Sequence, residues 1–356
     1  MAEPVPILLA GDHFVLNRLL ADALLAGAVR AAWDARELEL PWPHEPFRAI
    51  AEVDEASGSE DALIDALQGV RVCLTQMAPL TRRVLESCPD LKLFAVSRGG
   101  PVNANLEAAT QHGVTVTYAP GRNAVSTAEH TLGLMLTAMR RVSDSHHGVL
   151  QGLWKSDLYA YDATGLQIHG NTVGLVGAGA VGSHLAAVLV AMGATVLVHD
   201  PFVDPATLPP GVVVTPLPEL LARSQVVSLH ARLTPETRGL IGAAELALMP
   251  GGSVLVNCAR GGLLDYTALA AALREGHLFA AGLDVYDIEP LPAEHPIRDA
   301  PHVVLTPHLA GATKDVAQRA AAMVANEATR WLRGAEPAHC ANPEVLENRP
   351  TTTDPH

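Results

Sequence analysis

Short, unbroken runs of valine, leucine and alanine alternate with helix-like segments almost from one end of this 356-residue chain to the other. Val5–Ala10, Val70–Leu74, Leu91–Val96 and Val114–Tyr118 read as strands in the first third. Thr172–Val176, Thr195–His199, Gln225–Leu229, Ser253–Asn257, Ala280–Val285 and Val303–Thr306 form a second series. A strand wet on one face alternates apolar with polar, whereas an unbroken apolar run needs cover on both faces. With helices between the strands, that cover implies parallel sheets in an α/β fold. Helical segments are expected at Pro79–Ser87, at Asn103–His112 with Gly113 closing it, at Ala128–Val142 as one long apolar helix, at Val181–Met192, at Tyr266–Arg274 and at Lys314–Arg333. The segment Gln151–Asn171, with Trp154, Tyr159 and Tyr161, reads as a loop between two regions of similar texture. At this length two domains are expected.

Composition removes several classes of partner. Lysine and arginine total 24 against 38 acidic residues, a formal charge of −14. Nucleic acid or an anionic membrane would need a basic face. A small anionic substrate needs only one or two local cations. The four cysteines, Cys73, Cys88, Cys258 and Cys340, form no CxxC pair, which argues against a disulfide framework or structural zinc and fits a reducing compartment, the cytoplasm. Met1–Ala10 lacks a basic leader pattern. The apolar stretch Thr172–Val198 contains Ser183, His184, Thr195 and five glycines, and reads as strand, helix, strand rather than a membrane span.

Gly177-Ala178-Gly179-Ala180-Val181-Gly182 follows the strand Thr172–Val176 and opens the next helix. This is the context in which a GxGxxG loop binds a dinucleotide. The first glycine turns the chain, the second admits a pyrophosphate to the backbone, and the third lets helix pack on strand. The pyrophosphate would sit on the helix N-terminus, where unpaired N–H groups and the dipole favour an anion. Asp200 closes the next strand, 18 residues after Gly182, where a ribose-binding acid is expected. No lysine or arginine lies between Pro201 and Ala206 to take a 2′-phosphate, and Asp204 adds negative charge, so NAD is expected rather than NADP.

Three polar groups follow three strand ends: Arg260 after Ser253–Asn257, Glu289 after Ala280–Val285, and His308 after Val303–Thr306. Singly each has a dull explanation, as a surface ion pair, a loop cap or one of 16 histidines. Jointly they supply what hydride transfer to a 2-oxo acid needs. The cation orients a carboxylate, the imidazole acts as general acid or base, and the carboxylate fixes the imidazole tautomer. On the strand pattern alone Asp284 and Asp287 compete with Glu289 for that last role.

Here the sequence resembles a family, the D-isomer-specific 2-hydroxyacid dehydrogenases, which include phosphoglycerate dehydrogenases and glyoxylate/hydroxypyruvate reductases. The resemblance spans roughly residues 60–335. It rests on the Gly177–Gly182 loop, SLHARLTPETRGLIG at 228–242, VNCARGGLLD at 256–265, LDVYDIEPLP at 283–292 and LTPHLAGAT at 305–313. The spacings of 29 residues from Arg260 to Glu289 and 19 from Glu289 to His308 also match it. The resemblance implies that Arg260 binds the substrate carboxylate and carbonyl, His308 exchanges the proton with the C2 hydroxyl, and Glu289, a Glu followed by Pro, partners the histidine. It also implies cofactor contacts at His230, Cys258, Ala259, Asp284, His308 and Gly311, with Cys258 a contact residue and not a nucleophile. A zinc site from His230 and His308 has no ligand spacing behind it.

The resemblance further implies two Rossmann-like or flavodoxin-like domains with parallel sheets and an active-site cleft. Residues 1–122 with 314–356 would form the substrate domain, and 123–313 the NAD-binding domain. A homodimer is implied, with the aromatic Gln151–Asn171 segment as its arm; packing of those aromatics on their own subunit is the competing reading. The loop Ser97-Arg98-Gly99-Gly100-Pro101-Val102-Asn103 is shorter than the usual family pattern, whose N–H groups cradle the substrate carboxylate. Arg98, Gly99 and Gly100 are the substrate-loop candidates, and Arg98 either receives a second anionic group or pairs locally. The regulatory module of long phosphoglycerate dehydrogenases is expected to be absent. Two rivals share the fold. One is a phosphite- or formate-type dehydrogenase, the formate enzymes having glutamine in place of Glu289; the other is an NAD-sensing, corepressor-like binding protein.

Overall fold

The computed structural model describes residues 3–27, 33–42 and 48–347, and the chain divides into two compact units, Met1–Asn123 with Ala312–His356, and Ala124–Gly311. The first unit is built on strands β1 (Val5–Gly11), β2 (Trp33–Glu39), β3 (Arg48–Ile50), β4 (Val53–Ala56), β5 (Val72–Thr75), β6 (Leu93–Val96) and β7 (Thr115–Thr117). Five of them form a parallel sheet in the order β2-β1-β5-β6-β7, and β3 pairs with β4 antiparallel. The second unit carries β8 (Thr172–Val176), β9 (Thr195–His199), β10 (Val212–Val214), β11 (Val226–Leu229), β12 (Ser253–Asn257), β13 (Leu278–Leu283) and β14 (Val303–Leu305). These form one seven-stranded parallel sheet, ordered β10-β9-β8-β11-β12-β13-β14.

The unbroken apolar runs have the cause expected of them. Successive strand residues point to opposite faces, and both faces are buried. In β12, Val254 and Val256 enter one core and Leu255 the other; in β11, Val226 faces the first core while Val227 and Leu229 face the second. The first unit repeats this, with Leu8 and Ala10 of β1 on one side and Ile7 and Leu9 on the other.

Two kinds of element were not legible in the sequence. The edge strands β2 and β10 carry exposed residues along most of their length, and β2 reads Trp-Asp-Ala-Arg-Glu-Leu-Glu, so no apolar run marks it. A polar, charged edge such as β2 is one way open sheets avoid pairing with other chains, and a very short one such as β10 is another. The long helix expected at Ala128–Val142 is instead two helices, Ala124–Met139 and Val142–Leu150. They part at Arg141, whose backbone is left-handed at φ +51° and whose guanidinium pairs with Asp144 at 3.0 Å. In the Gln151–Asn171 segment only a short 3₁₀ turn, Ser156–Tyr159, is regular.

The segment His339–Asn342 returns to cover the β7 edge. Thr117 bridges Cys340 antiparallel, and the Ala341 N–H donates to the Val116 carbonyl at 2.8 Å. Asn342, 2% exposed, completes the join: its Oδ1 accepts the Val116 N–H at 2.8 Å, and its Nδ2 donates to the Val114 carbonyl at 2.9 Å. Asn342→Leu leaves the buried Val116 N–H without an acceptor. Urea denaturation of this variant is expected to show a loss of about 2–3 kcal/mol, since stranding a buried donor costs more than a hydrogen bond's net worth.

Candidate active site

In an open parallel sheet, side chains beyond the carboxyl ends of the strands face a common crevice. The first element of the site is the turn after β8, at the point where the strand order reverses between β8 and β11. Gly177 sits at φ +105°, and a Cβ there would fall 2.6 Å from the backbone carbon of His230; at Gly182 it would fall 2.2 Å from the Gly177 carbonyl oxygen. The two glycines therefore let the turn close against β11 and against itself. Nothing lies within 4 Å of the position a Cβ would take at Gly179, and Gly179 and Ala180 are exposed where the helix Ala180–Ala191 begins. The open first turn of this helix leaves its N–H groups, those of Ala180, Val181 and their neighbours, for an anion.

Asp200 stands beside this turn. Its carboxylate accepts the Ala178 N–H at 2.8 Å and the Phe202 N–H at 2.9 Å, and holds the loop while keeping lone pairs for a hydroxyl. His230 shares a 2.9 Å hydrogen bond with Ser228, and burial pushes its pKa down to about 4, so the ring is neutral. Cys258 is buried, and burial pushes its thiol up to about 12. The thiol form persists at neutral pH, which removes Cys258 as a nucleophile. Open N–H groups, a Cβ-free approach and a strand-end carboxylate together fit a dinucleotide.

Three adjacent strand ends supply the rest. Arg260 follows β12 and is exposed, its backbone fixed by Asn257, whose Nδ2 donates to the Arg260 carbonyl at 3.0 Å and whose Oδ1 accepts from the Ala259 N–H at 3.0 Å. Glu289 follows β13, and its Oε1 accepts the Tyr286 N–H at 2.9 Å. His308 follows β14, half-exposed, and its Nδ1 donates to Glu289 Oε2 at 2.8 Å. The Glu289 bond raises the His308 pKa above that of a free histidine, against the effect of burial. Burial pushes Glu289 up, but the His308 bond and charge, the Tyr286 N–H and Arg260 outweigh it and leave the carboxyl below its usual range. The pair therefore favours imidazolium–carboxylate. Its folded-state stabilisation is present between the unfolded pKa values, about 4.3 and 6.5, and is lost as pH rises through that of folded His308 or falls through that of folded Glu289.

Asp284 and Asp287, the other two acids of this segment, serve elsewhere. Asp287 pairs with His295 at 2.9 Å. Asp284 is fully buried: its Oδ1 accepts the Thr306 hydroxyl at 2.6 Å and the Leu309 N–H at 2.8 Å, and its Oδ2 the Ala310 N–H at 2.8 Å. It thereby anchors the turn that holds His308 at φ +56° and that Gly311 follows. His130, in the helix Ala124–Met139, lies 3.2 Å from Thr306 Oγ1 and 3.5 Å from Asp284 Oδ1. Nothing in the sequence singles out His130, a lone histidine in an apolar helix. The Arg260 and Glu289 loops are locked through Gly261, where a Cβ would fall 1.8 Å from the Tyr286 carbonyl oxygen.

In the first unit, Arg98 is not a free cation. Its guanidinium pairs with the Glu55 carboxylate and donates to the Glu55 carbonyl at 3.1 Å, the local ion pair left open by the sequence. Gly99 and Gly100 follow it with open space around both. Among the described residues, no three His, Cys, Asp or Glu side chains gather as a metal site, and no helix is long and apolar enough to cross a membrane.

Comparison with known proteins fits this geometry. Residues 132–310, nearly all of the second unit, match the model of the D-isomer specific 2-hydroxyacid dehydrogenase, NAD binding domain. A glyoxylate reductase from Korarchaeum cryptofilum is 34% identical over 83% of this chain and 90% of its own length. The chain belongs to the D-isomer-specific 2-hydroxyacid dehydrogenase family. The matched residues 132–310 carry that family's NAD-binding domain. A D-3-phosphoglycerate dehydrogenase from Mycobacterium leprae is 39% identical over 89% of this chain, which spans only 57% of that relative's length. The TT0316 protein from Thermus thermophilus superposes with a TM-score of 0.76 at 32% identity, over 95% of this chain and 100% of its own.

The Gly261 contact gives a direct test. Gly261→Ala pushes the Arg260 loop off the Tyr286 carbonyl. Thermal unfolding is expected to register a destabilisation of about 1–3 kcal/mol, as for overpacked buried positions.

Proposed function

We propose that this protein is an NAD-dependent dehydrogenase that interconverts a D-2-hydroxy acid and its 2-oxo acid. The observation that carries the reading is the 2.8 Å His308–Glu289 pair, electrostatically coupled to the exposed Arg260 on adjacent strand ends of an NAD-binding unit. The Gly177–Gly182 turn would hold the pyrophosphate and Asp200 the adenosine ribose, with His230, Cys258, Ala259 and Gly311 lining the same edge. Bound NAD supplies the acceptor or donor of the hydride exchanged with C2. Arg260 takes the substrate carboxylate in its planar fork and polarises the C2 oxygen. His308 Nε2, opposite the nitrogen tied to Glu289, takes the hydroxyl proton in oxidation and returns it to the carbonyl oxygen in reduction. Glu289 keeps Nδ1 protonated and stabilises the imidazolium that forms. Asp284 and His130 act through the turn, as positioning residues.

The identity of the acid belongs to the first unit, where Gly99, Gly100 and the Arg98 turn are the candidates for its carboxylate and tail. The assay is loss of absorbance at 340 nm with NADH and a panel of 2-oxo acids. His308→Ala is expected to lose about 10²- to 10⁴-fold in kcat while still binding NADH. Near-normal turnover would remove His308 from the mechanism, and NADH binding without turnover across the panel would overturn the dehydrogenase reading in favour of a sensor.

The sign of the pH dependence follows from the raised His308 pKa. Reduction needs imidazolium, so its rate should fall as pH rises through that pKa, and oxidation should rise over the same range. Glu289→Gln removes the charge that raises it. The alkaline limb of reduction should then move to lower pH by about one unit or more, the usual effect of losing one close countercharge.

A homodimer is the second part of the proposal. Leu150, Leu153, Trp154, Tyr159 and Tyr161 are 72%, 52%, 85%, 92% and 92% exposed, a run of apolar surface that fits burial against a second copy. Light scattering after size exclusion should give twice the chain mass. Trp154→Ser combined with Tyr161→Ser should shift it towards the monomer; an unchanged dimer would place the interface elsewhere.

A further inference from the structure

The first unit has its own point of strand-order reversal, between β1 and β5, and the polar side chains just beyond these ends each keep a buried oxygen without a partner. Asp12, one residue past β1 and 2% exposed, accepts the Phe14 and Val15 N–H groups through Oδ1, both at 2.8 Å, while its Oδ2 has no partner. Gln76, one residue past β5 and 6% exposed, has an unpartnered Oε1. Arg122, five residues past β7, lies over the Phe14 ring at 5.9 Å, and its buried Nη1 has no acceptor. Its main chain is fixed by Arg319, whose Nη1 donates to the Arg122 carbonyl at 3.0 Å.

Buried side-chain donors, above all those of charged groups, are almost always paired in folded proteins. Here an unpaired guanidinium donor shares one sheet edge with two unpaired acceptors, at the place where open parallel sheets bind ligands. Arg122 interacts electrostatically with both Asp12 and Arg98, but Arg98 is already committed to Glu55. Arg122 is thus the cation with a donor to spare. Burial and the neighbouring Arg98 lower its pKa to about 10, which leaves it charged at neutral pH.

We propose that Arg122, with Gln76 and Asp12, forms an oxyanion subsite on the first unit that receives a carboxylate or phosphate at the far end of the substrate's tail. Arg122 supplies the fork for the oxyanion, and the free oxygens of Gln76 and Asp12 accept from a hydroxyl on the tail or on the oxyanion itself. This assignment rests on the 2-oxo acid reading above and names its substrate class: acids with a second negative charge distal to C2.

The test has a kinetic arm and a binding arm. The first compares kcat/KM for 2-oxobutyrate, 2-oxoglutarate and phosphohydroxypyruvate in the wild type and in Arg122→Gln; the second measures inorganic phosphate binding to the same proteins by calorimetry. The wild type should favour one of the two charged tails over 2-oxobutyrate, and which one identifies carboxylate or phosphate. Arg122→Gln should lose about 10- to 100-fold on that substrate, the worth of a charge-assisted hydrogen bond, with 2-oxobutyrate nearly unaffected. Equal losses on charged and uncharged tails, or none, would overturn the proposal. So would a wild type without preference for either charged tail, a result that stands even if Arg122→Gln does not fold. Arg122→Lys, which keeps the charge without the fork, should recover part of the loss. If no 2-oxo acid turns over, the dehydrogenase reading fails by itself. Phosphate binding that Arg122→Gln abolishes would still support the oxyanion site, and its absence from the wild type would then overturn it.

Discussion

The Asp284 carboxylate is the point on which the arrangement of the second unit's site turns. It lies at zero exposure at the end of β13, and by accepting the Thr306 hydroxyl and the Leu309 and Ala310 N–H groups it fixes the path of the chain beyond β14. Burying a carboxylate is costly unless its oxygens are paired, and here three donors from one turn satisfy it. The result is a histidine held in a left-handed conformation that non-glycine residues avoid, a cost of about 1–3 kcal/mol that the surrounding hydrogen bonds offset. Without that turn, His308 would not stand over Glu289.

The site is otherwise an outcome of sheet order. Arg260, Glu289 and His308 come from three loops, but β12, β13 and β14 are neighbours, so their carboxyl ends are adjacent. Gly261 presses the first loop against the second, and Tyr286 ties the second to the third, its hydroxyl within 3.0 Å of the Thr306 carbonyl. Rigid strands fix the loop roots and a few backbone contacts fix the tips. That is how the His308–Glu289 pair gains its spacing without a dedicated scaffold.

The two units use the same device on different chemistry. In each, the chain leaves the first strand one way and returns to the other side, opening a crevice at the reversal. In the second unit that crevice is lined by glycines and open N–H groups; in the first it is lined by Asp12 and Gln76, each with a free oxygen, with Arg122 past β7 on the same sheet edge. The fold supplies the place, and the side chains decide what binds there.

Much of this was legible in the amino-acid order. Unbroken apolar runs forced parallel sheets because a residue can be apolar on both faces of a strand only where both faces are covered. The glycine turn and Asp200 announced a dinucleotide because few other residues permit so close an approach to backbone. The positions of Arg260, Glu289 and His308 marked a candidate catalytic set because each follows a strand. The sequence was silent wherever a position depends on a distant neighbour. Edge strand β2 lacks an apolar signature because most of it is wet, and β10 is only the three valines Val212–Val214, too short a run to mark a strand. Asp284, Asp287 and Glu289 could be sorted from the chain only by resemblance; they separate in space because only the Glu289 carboxylate bonds the His308 ring, while the other two carboxylates meet donors 22 and 8 residues away. Arg98 reads as either a receiver of a second anion or a local ion pair until Glu55, 43 residues earlier, is seen to claim it, and Arg122 gains interest only because its buried Nη1 has no acceptor. Sequence determined which groups stand at the strand ends; tertiary structure decided which are already paired, because pairing depends on contacts between segments that local order does not encode.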